Sequence, residues 1–346
     1  MCVTARFSKA ALLALGLGSG VATPCLADPY TLGANLGTFT VYGFGSGFSN
    51  NFSPGALTVK GNVGIGSGGD LHTSGKNIVI IGKIYLADVV TATDFSVDGS
   101  THALINGQAD CNSFLACNTA GRVESGSSIA LDAKAEAVAL YASVSGLAAT
   151  GGAPSGDLAA SFTWTGNGGT NVASLNSVTL SSGRILTLNG TASDFFIFNI
   201  TGGMAGSGSG AIVLGAEVNP DHVLFNFLCS ADHGSTCGKD GGAGTAISFS
   251  GGFVGSGIIL ALDRDITENT PSGGWTGRFF SDTDRTIHFF SGATITGPET
   301  PPTSATPEPG TMVLLVIGLL GLALAGYLGR QRNRGSSASA AGGRVE

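Results

Sequence analysis

The sequence predicts a mainly β domain that carries a single amphipathic helix. Short apolar runs with β-branched and aromatic residues recur between Gly-, Ser- and Asn-rich segments, mostly about 9 to 17 residues apart, which is typical of strands joined by tight turns. Glycine supplies 57 of the 346 residues, more than double the usual share of about 7%. These intervals are too short for helical crossovers, so a sandwich, a barrel and a solenoid of stacked β-turns are all open.

The start of the chain has the pattern of a secretory signal peptide. Two basic residues precede an apolar segment, residues 10–21, that is too short to span a bilayer. The small residues Cys25 and Ala27 then favour cleavage between Ala27 and Asp28. A lipoprotein modified at Cys25 is the alternative, but the proline before that cysteine fits it poorly. The pattern therefore predicts a signal peptide over residues 1–27.

The exported part, residues 28–298, is predicted to be an acidic folded domain. Between residues 28 and 300 the sequence has 10 Lys and Arg against 21 Asp and Glu, a net charge of −11. Such a surface repels phosphate backbones, so we expect no nucleic-acid partner. The recurrent apolar runs and a mean hydropathy of +0.31 argue against disorder, which requires low hydrophobicity.

Four cysteines of the exported part fall into two close pairs, Cys111 with Cys117 and Cys229 with Cys237. Export leads to an oxidising compartment, where disulfides are expected. Four cysteines allow three pairings, and we favour the local one, in which each bridge closes one loop. His233 lies between the second two cysteines, which raises the alternative of a zinc site, but the spacing of structural zinc ligands is lacking.

Residues 129–147 depart from the strand pattern. Apolar or small side chains recur there at steps of three and four residues, which is the spacing of one helix face: Ile129, Ala133, Ala137, Leu140, Val144 and Leu147. Ser127 or Ser128 can cap the start, and Gly146 marks the end. We predict an Ala-rich amphipathic helix that buries this stripe against a sheet.

Motifs for catalysis are scarce, and we predict no enzymatic activity and no cofactor. The five histidines lie outside any metalloprotease helix motif, and the Gly-Ser alternation at residues 206–210 lacks the lysine of a phosphate-binding loop. Two carboxylate pairs stand at i and i+2 and would share a strand face: Asp263 with Asp265, and Asp282 with Asp284. These carboxylate pairs could bind calcium or carry out glycosidase-like chemistry. The alternative is that they lie in solvent-exposed turns, which the arginines beside the carboxylates favour.

The end of the chain combines three features in a fixed order. A short motif of Pro307, Glu308, Pro309 and Gly310 precedes the uncharged residues 311–328, which are long enough to span a bilayer as a helix. A basic cluster then favours a cytoplasmic C-terminus, and it consists of Arg330, Arg332 and Arg334.

This order resembles the PEP-CTERM sorting signal of Gram-negative bacteria. The resemblance implies a linker over residues 299–310, a transmembrane helix over 311–328 and a basic tail over 329–346. It also implies Sec-type export, retention at the inner membrane and processing by an exosortase-type membrane protease. An ordinary single-pass anchor is the alternative.

The exported part resembles the choice-of-anchor A and ice-binding-like β-solenoid domains. The likeness is carried by the Ala-rich helix after the first strands and by a series of short motifs: GNVGI (61–65), LTLNG (186–190), FFIF (195–198), VLFNF (223–227), GIILA (257–261), GRFF (277–280) and TIH (286–288). The resemblance implies a β-solenoid with the helix packed alongside, and a jelly-roll β-sandwich is the alternative. FFIF lacks alternation, so we expect it to be covered on both sides.

Ice binding would require Thr-x-Thr pairs aligned on successive turns of the solenoid. Three such pairs occur, about 70 and 130 residues apart, and the strands between them lack a matching pair: Thr91 with Thr93, Thr163 with Thr165, and Thr294 with Thr296. Outward threonine is also common on any strand.

The sequence thus predicts an exported surface or matrix protein with a structural or adhesive role, and the sorting-signal resemblance implies a place within an exopolysaccharide-rich matrix. Ice binding is the first alternative. Calcium binding, carbohydrate binding or carbohydrate-active chemistry is the second.

Overall fold

The structure, a computed structural model, describes most of the exported part of the chain. It covers residues 28–43, 49–52, 57–68, 70–73, 78–88, 95–97, 103–105, 108–111, 123–228, 247–262, 264–270, 272–281, 287–289 and 292–297. The predicted signal peptide, linker, transmembrane segment and basic tail lie outside these residues and stay predictions. Within the described part, no helix has the length and apolar character needed to cross a membrane.

The described chain is a β-solenoid, as the family resemblance predicted. Most turns contribute one strand to each of three sheets, and neighbouring turns pair in parallel, for example Thr170–Leu175 with Phe195–Ile200. Among the described strands, antiparallel pairing is confined to β9 (Ala103–Ile105) and β10 (Gln108–Cys111). The jelly-roll alternative is wrong because its strands would pair antiparallel throughout.

The first sheet, which we call the helix face, is the one that the helix covers. Its strands are β1 (Phe39–Gly43), β4 (Asn62–Ile65), β7 (Ile84–Leu86), β11 (Val123–Ser125), the first half of β14 (Thr170–Ser181), β16 (Phe195–Ile200), β19 (Val223–Phe227) and the second halves of β21 (Val254–Ala261) and β23 (Gly274–Ser281).

The second sheet, which we call the serine face, follows the helix face along each turn. It comprises β2 (Ser49–Phe52), β5 (Asp70–Thr73), β8 (Phe95–Val97), the second half of β14, β17 (Met204–Ser207), β20 (Ile247–Ser250), β22 (Ile266–Asn269) and β24 (Ile287–Phe289). Strand β12 (Ser155–Leu158) pairs with β14 across the corner between these two sheets.

The third sheet, which we call the threonine face, completes each turn. It comprises β3 (Thr58–Lys60), β6 (Ile78–Ile81), β9, β13 (Phe162–Thr165), β15 (Ile185–Asn189), β18 (Ala211–Leu214), β25 (Thr294–Thr296) and the first halves of β21 and β23.

The first described strand, β1, lies in the middle of the stack rather than at one end. Strand β1 lies between β23, near the end of the domain, and β4, which follows β1 in sequence. The same holds for β3, which lies between β25 and β6. The turn that comes first in the sequence therefore stacks directly on the turn that comes last.

Helix α1 (Ser128–Ser145) connects β11, at one end of the stack, with β12, at the other. Its 18 residues span about 27 Å at 1.5 Å per residue, and the predicted helix is confirmed. The predicted stripe is buried at Ala133, Ala137, Leu140 and Val144. Gly146 caps the end, whereas the Ser127 hydroxyl donates to Glu124 Oε1 (2.8 Å) instead of capping the helix.

Two apolar layers result from this arrangement. One fills the inside of the solenoid and includes Phe196, Phe198 and Trp164, and the other lies between the helix face and α1 and includes Phe195 and Ile197. The unalternated run of strand β16 is therefore covered on both sides, as predicted.

Two glycines let long strands turn from one face to the next. Gly257 in β21 and Gly277 in β23 are registered with each other and have φ of 123° and 144°, a region that only glycine enters freely. A Cβ on Gly277 would lie 1.9 Å from the Gly257 carbonyl oxygen. The turns can stack closely at this corner only because both side chains are absent.

Candidate binding face

The threonine face alternates strictly between inward and outward side chains, as a strand does. Leu186, Ile212, Trp275 and Ile295 point inward and are buried. The residues on either side of them face outward and form two rows that run along the stack of turns.

The first row is continuous from turn to turn. Ile185 is registered with Ala211, Ala211 with Val254, and Val254 with Gly274. Pairing of β23 with β25 then leads to Thr294, which is registered with Thr58.

The second row holds most of the threonines. Thr163 is registered with Thr187, and Thr187 with Val213. Further along the stack, Ser256 is registered with Thr276, Thr276 with Thr296, and Thr296 with Lys60.

This face exposes an unusual amount of aliphatic surface. Six large hydrophobic side chains are exposed in the described part of the chain. Four of them lie on this face, namely Ile81 (48%), Ile185 (38%), Val213 (44%) and Val254 (49%). Among the outward strand residues that the structure describes here, Lys60 alone is charged. Three of the four aliphatic residues, Ile185, Val213 and Val254, lie on neighbouring turns, whereas Ile81 is registered with Lys60. Exposed apolar surface with few charges is typical of an interaction site.

The serine face is the other sheet that no described element covers, and its chemistry differs. Its described outward positions hold small side chains, namely Ser177, Thr179, Ser181, Ala205, Ser207, Ser248, Ser250, Thr267 and Asn269. None of these is a large aliphatic residue. The two open faces therefore present different surfaces on one scaffold.

A buried carboxylate fixes the corner at which the threonine face ends. Asp194 accepts hydrogen bonds from the backbone of Gly168 (2.7 Å) and Thr191 (2.8 Å) and from Asn171 Nδ2 (3.0 Å). Burial opposes ionisation of this carboxyl, but these hydrogen bonds outweigh it and hold its pKa below the ordinary value. Asp194 thus ties the corner that follows β13 to the corner that follows β15.

The structure brings two of the three predicted threonine pairs onto this one face. Thr163 and Thr165 are exposed on β13, and Thr294 and Thr296 are half-buried on β25. Thr91 and Thr93 lie outside the described residues.

Sequence reasoning missed the single threonines that continue these pairs. Thr187 extends Thr163, Thr276 extends Thr296, and Thr58 extends Thr294. The signal was the lone outward threonine in each strand pattern, but the order of turns was needed to align them.

Most residues of the other predicted sites lie outside the described part of the chain. Asp263, Asp282 and Asp284 lie outside the described residues, and Asp265 is partly exposed. No group of metal-ligating side chains occurs in the part of the chain that the structure describes. Cys117, Cys229 and Cys237 also lie outside it, and for Cys111 only the backbone, in β10, is described.

Comparison with family models gives a match over residues 31–286, to the family described as "Putative Ice-binding-like adhesive domain". The chain belongs to this family. The match spans helix α1 and strands β1 to β23 and ends before β24 and β25, and it agrees with the ice-binding-like resemblance of the sequence. A search of curated proteins finds no match.

Solved structures with a similar fold include several ice-binding proteins. One, LeIBP from an Arctic yeast, is 17% identical with a TM-score of 0.49, over 81% of this chain and 99% of that chain. A protein from an Antarctic biological consortium is 16% identical with a TM-score of 0.49, over 78% and 92% of the two chains. A domain from Shewanella frigidimarina is 15% identical with a TM-score of 0.46, over 79% and 100%. At these identities the likeness concerns the fold alone.

Proposed function

We propose that this member of the ice-binding-like adhesive domain family is a non-enzymatic surface protein that binds ice through its threonine face. The observation that carries the proposal is the pair of registered rows, rich in Thr, Val and Ile, on a sheet that no described element covers. Membership of the family supports a surface location and an adhesive role.

The regular spacing of the rows suits a periodic ligand. Neighbouring strands in a sheet lie about 4.8 Å apart, and outward residues along a strand recur at about 6.7 Å. The rows therefore form a two-dimensional lattice of side chains. A small molecule would instead need a concave pocket that encloses it, so a crystalline surface such as ice fits this face better.

The side chains of the face also suit ordered water. Threonine has a methyl group, whose removal from liquid water is favourable. Beside it, the hydroxyl can donate one hydrogen bond to lattice water and accept others from it. Aliphatic surface is added by Ile185, Val213 and Val254, whose β-branched side chains have few rotamers. A face that combines both kinds of group, with Lys60 as its one charge among the described strand residues, can hold an ordered water layer.

Partition into ice tests this function. A polycrystalline ice shell is grown slowly in a dilute solution of the purified protein, with a non-binding protein of similar size as the control. We expect the protein to be enriched in the ice fraction while the control stays in the liquid. Equal partition of the two proteins would rule out ice as the ligand.

We further propose that the protein reaches the surface through its two termini. The signal peptide pattern of residues 1–27 and the PEP-CTERM resemblance of the tail support export followed by retention at the inner membrane and exosortase-type processing. Final attachment within an exopolysaccharide matrix would place the threonine face outside the cell.

Substitution of Glu308 tests the sorting proposal independently of ice binding. We expect Glu308→Ala to block processing, because it removes the central acid of the motif, so a larger, membrane-bound form should accumulate on immunoblots of fractionated cells. Ser304→Ala, outside the motif, is the matched control. Unchanged size and location of the Glu308→Ala protein would show that the motif is not a processing signal.

A further inference from the structure

Glu268 is a carboxylic acid placed inside the solenoid. It lies in β22, where Ile266 and Glu268 are buried and Thr267 and Asn269 lie toward the surface. Its register neighbours are Phe249 in β20 and Phe289 in β24. Both rings belong to the apolar interior, and Glu268 itself is 2% exposed.

The carboxyl is only half satisfied by hydrogen bonds. Thr270 Oγ1 donates to Glu268 Oε1. Oε2 is buried and has no hydrogen-bond partner among the residues that the structure describes. A buried carboxylate oxygen without a donor is costly, whereas a protonated carboxyl carries no net charge.

Charged groups do not face Glu268 from the described elements packed against it. Strand β20 has no titratable residue, and the one in β24, His288, is registered with Thr267 instead of Glu268. The halves of β21 and β23 on the threonine face hold none either, and on the helix-face halves the one titratable residue, Arg278, is paired with Asp221. Along its own chain, Arg264 and Asp265 precede the strand, and the Arg264 guanidinium donates to the carbonyl oxygens of Thr201 and Leu228.

This environment favours the neutral acid. Burial raises the pKa of Glu268 from an ordinary value of 4.5 to about 7, and the hydrogen bonds from Thr270 offset only part of the effect. In the unfolded chain the pKa returns to its ordinary value. The contribution of the protonated carboxyl to stability is therefore fully present below about pH 4.5 and is lost as the pH rises through about 7.

We propose that Glu268 is a pH-sensitive switch in the core, which locks the packing of β22 against β20 and β24 when protonated and loosens it when ionised. The switch lies beneath the serine face and apart from the threonine face. It therefore acts on the stability of the stack and does not depend on ice being the ligand.

The pH dependence of unfolding tests the switch. For the purified full-length protein, a pKa of about 7 in the folded state lowers the ratio of folded to unfolded molecules on the order of 100-fold between mildly acidic and mildly alkaline buffer. We expect Glu268→Gln, which keeps the shape and cannot ionise, to remove this loss. Chemical denaturation at a series of pH values measures both proteins, with Glu217→Gln, at an exposed position, as the matched control.

The pH profiles of the two glutamate variants distinguish the possible outcomes. A flattened profile for Glu268→Gln, with the Glu217→Gln profile unchanged, supports the switch, and hydrogen exchange should then show β22 losing protection before β15 as the pH rises. Parallel profiles for wild type and Glu268→Gln would overturn it. If Glu268→Gln does not fold, Glu268→Met provides the same comparison with an apolar side chain of similar length.

Discussion

At the scale of single residues, buried polar side chains hold the turns of the solenoid together. Arg278 donates to both carboxylate oxygens of Asp221 (2.7 and 3.0 Å) and to the carbonyl oxygens of Gly37 and Phe39. It thereby fastens the first turn in the sequence to the last. Asp194 likewise joins two neighbouring corners beside the threonine face through its hydrogen bonds.

Asp194 is expected to contribute more to the free energy of unfolding than an exposed acidic residue does. Asp194→Asn removes one acceptor oxygen from a buried set of hydrogen bonds and should lower the free energy of unfolding by about 1–3 kcal/mol. Because the folded-state pKa of Asp194 is lowered, its contribution is present above the ordinary pKa and is lost as the pH falls through the lowered folded-state pKa. Urea unfolding of both proteins at neutral and at acidic pH measures this.

The matched control is Asp157→Asn. This exposed residue accepts one hydrogen bond, from Ser177 Oγ (2.7 Å), so its loss should stay within about 0.5 kcal/mol. Equal losses at the two positions would contradict the corner role of Asp194.

Residue roles were predictable from the sequence only where the pattern was local. Thr163 and Thr165 stand two apart in one strand, so their shared face followed from strand geometry. Glu268 went unnoticed as a core residue, because a carboxylate in an inward position breaks the apolar alternation by which strands are recognised.

At the scale of elements, helix α1 was the best predicted part of the fold. Its stripe repeats every three or four residues, and that period belongs to the helix itself and needs no knowledge of its partners. What α1 covers was harder to predict. Glu136, for example, accepts hydrogen bonds from Leu36 N (2.6 Å) and Asn35 Nδ2 (3.0 Å), contacts that join residues about 100 positions apart.

Close packing of α1 depends on alanines on its buried side. Ala137 is fully buried, so Ala137→Leu should push the helix away from the sheet and lower the free energy of unfolding by about 1–3 kcal/mol. Ala135→Leu makes the same change at an exposed position of the same helix and should alter stability by less than about 0.5 kcal/mol. Thermal unfolding of the two variants measures the difference, and equal melting temperatures would show that α1 is not closely packed.

At the scale of the whole molecule, the order of turns decides which residues meet. Thr294 lies beside Thr58, although 236 positions separate them in the sequence, because the first turn stacks on the last. No periodicity or spacing in the sequence encodes that junction, so the threonine pairs seemed too far apart to form one surface. The stack converts scattered threonines into continuous rows.

If the threonine face and not the serine face binds ice, a charge on the first should abolish binding and a charge on the second should not. Val213 and Ala205 allow a direct comparison because both are exposed and both lie in the same turn, on β18 and β17. A lysine at either position places a hydrated charge on one face and leaves the other intact.

Thermal hysteresis of Val213→Lys and Ala205→Lys, each checked for an unchanged melting temperature, is the most direct measurement. We expect Val213→Lys to lose most of the wild-type activity and Ala205→Lys to keep it. Loss of activity in Ala205→Lys with full activity in Val213→Lys would instead assign ice binding to the serine face.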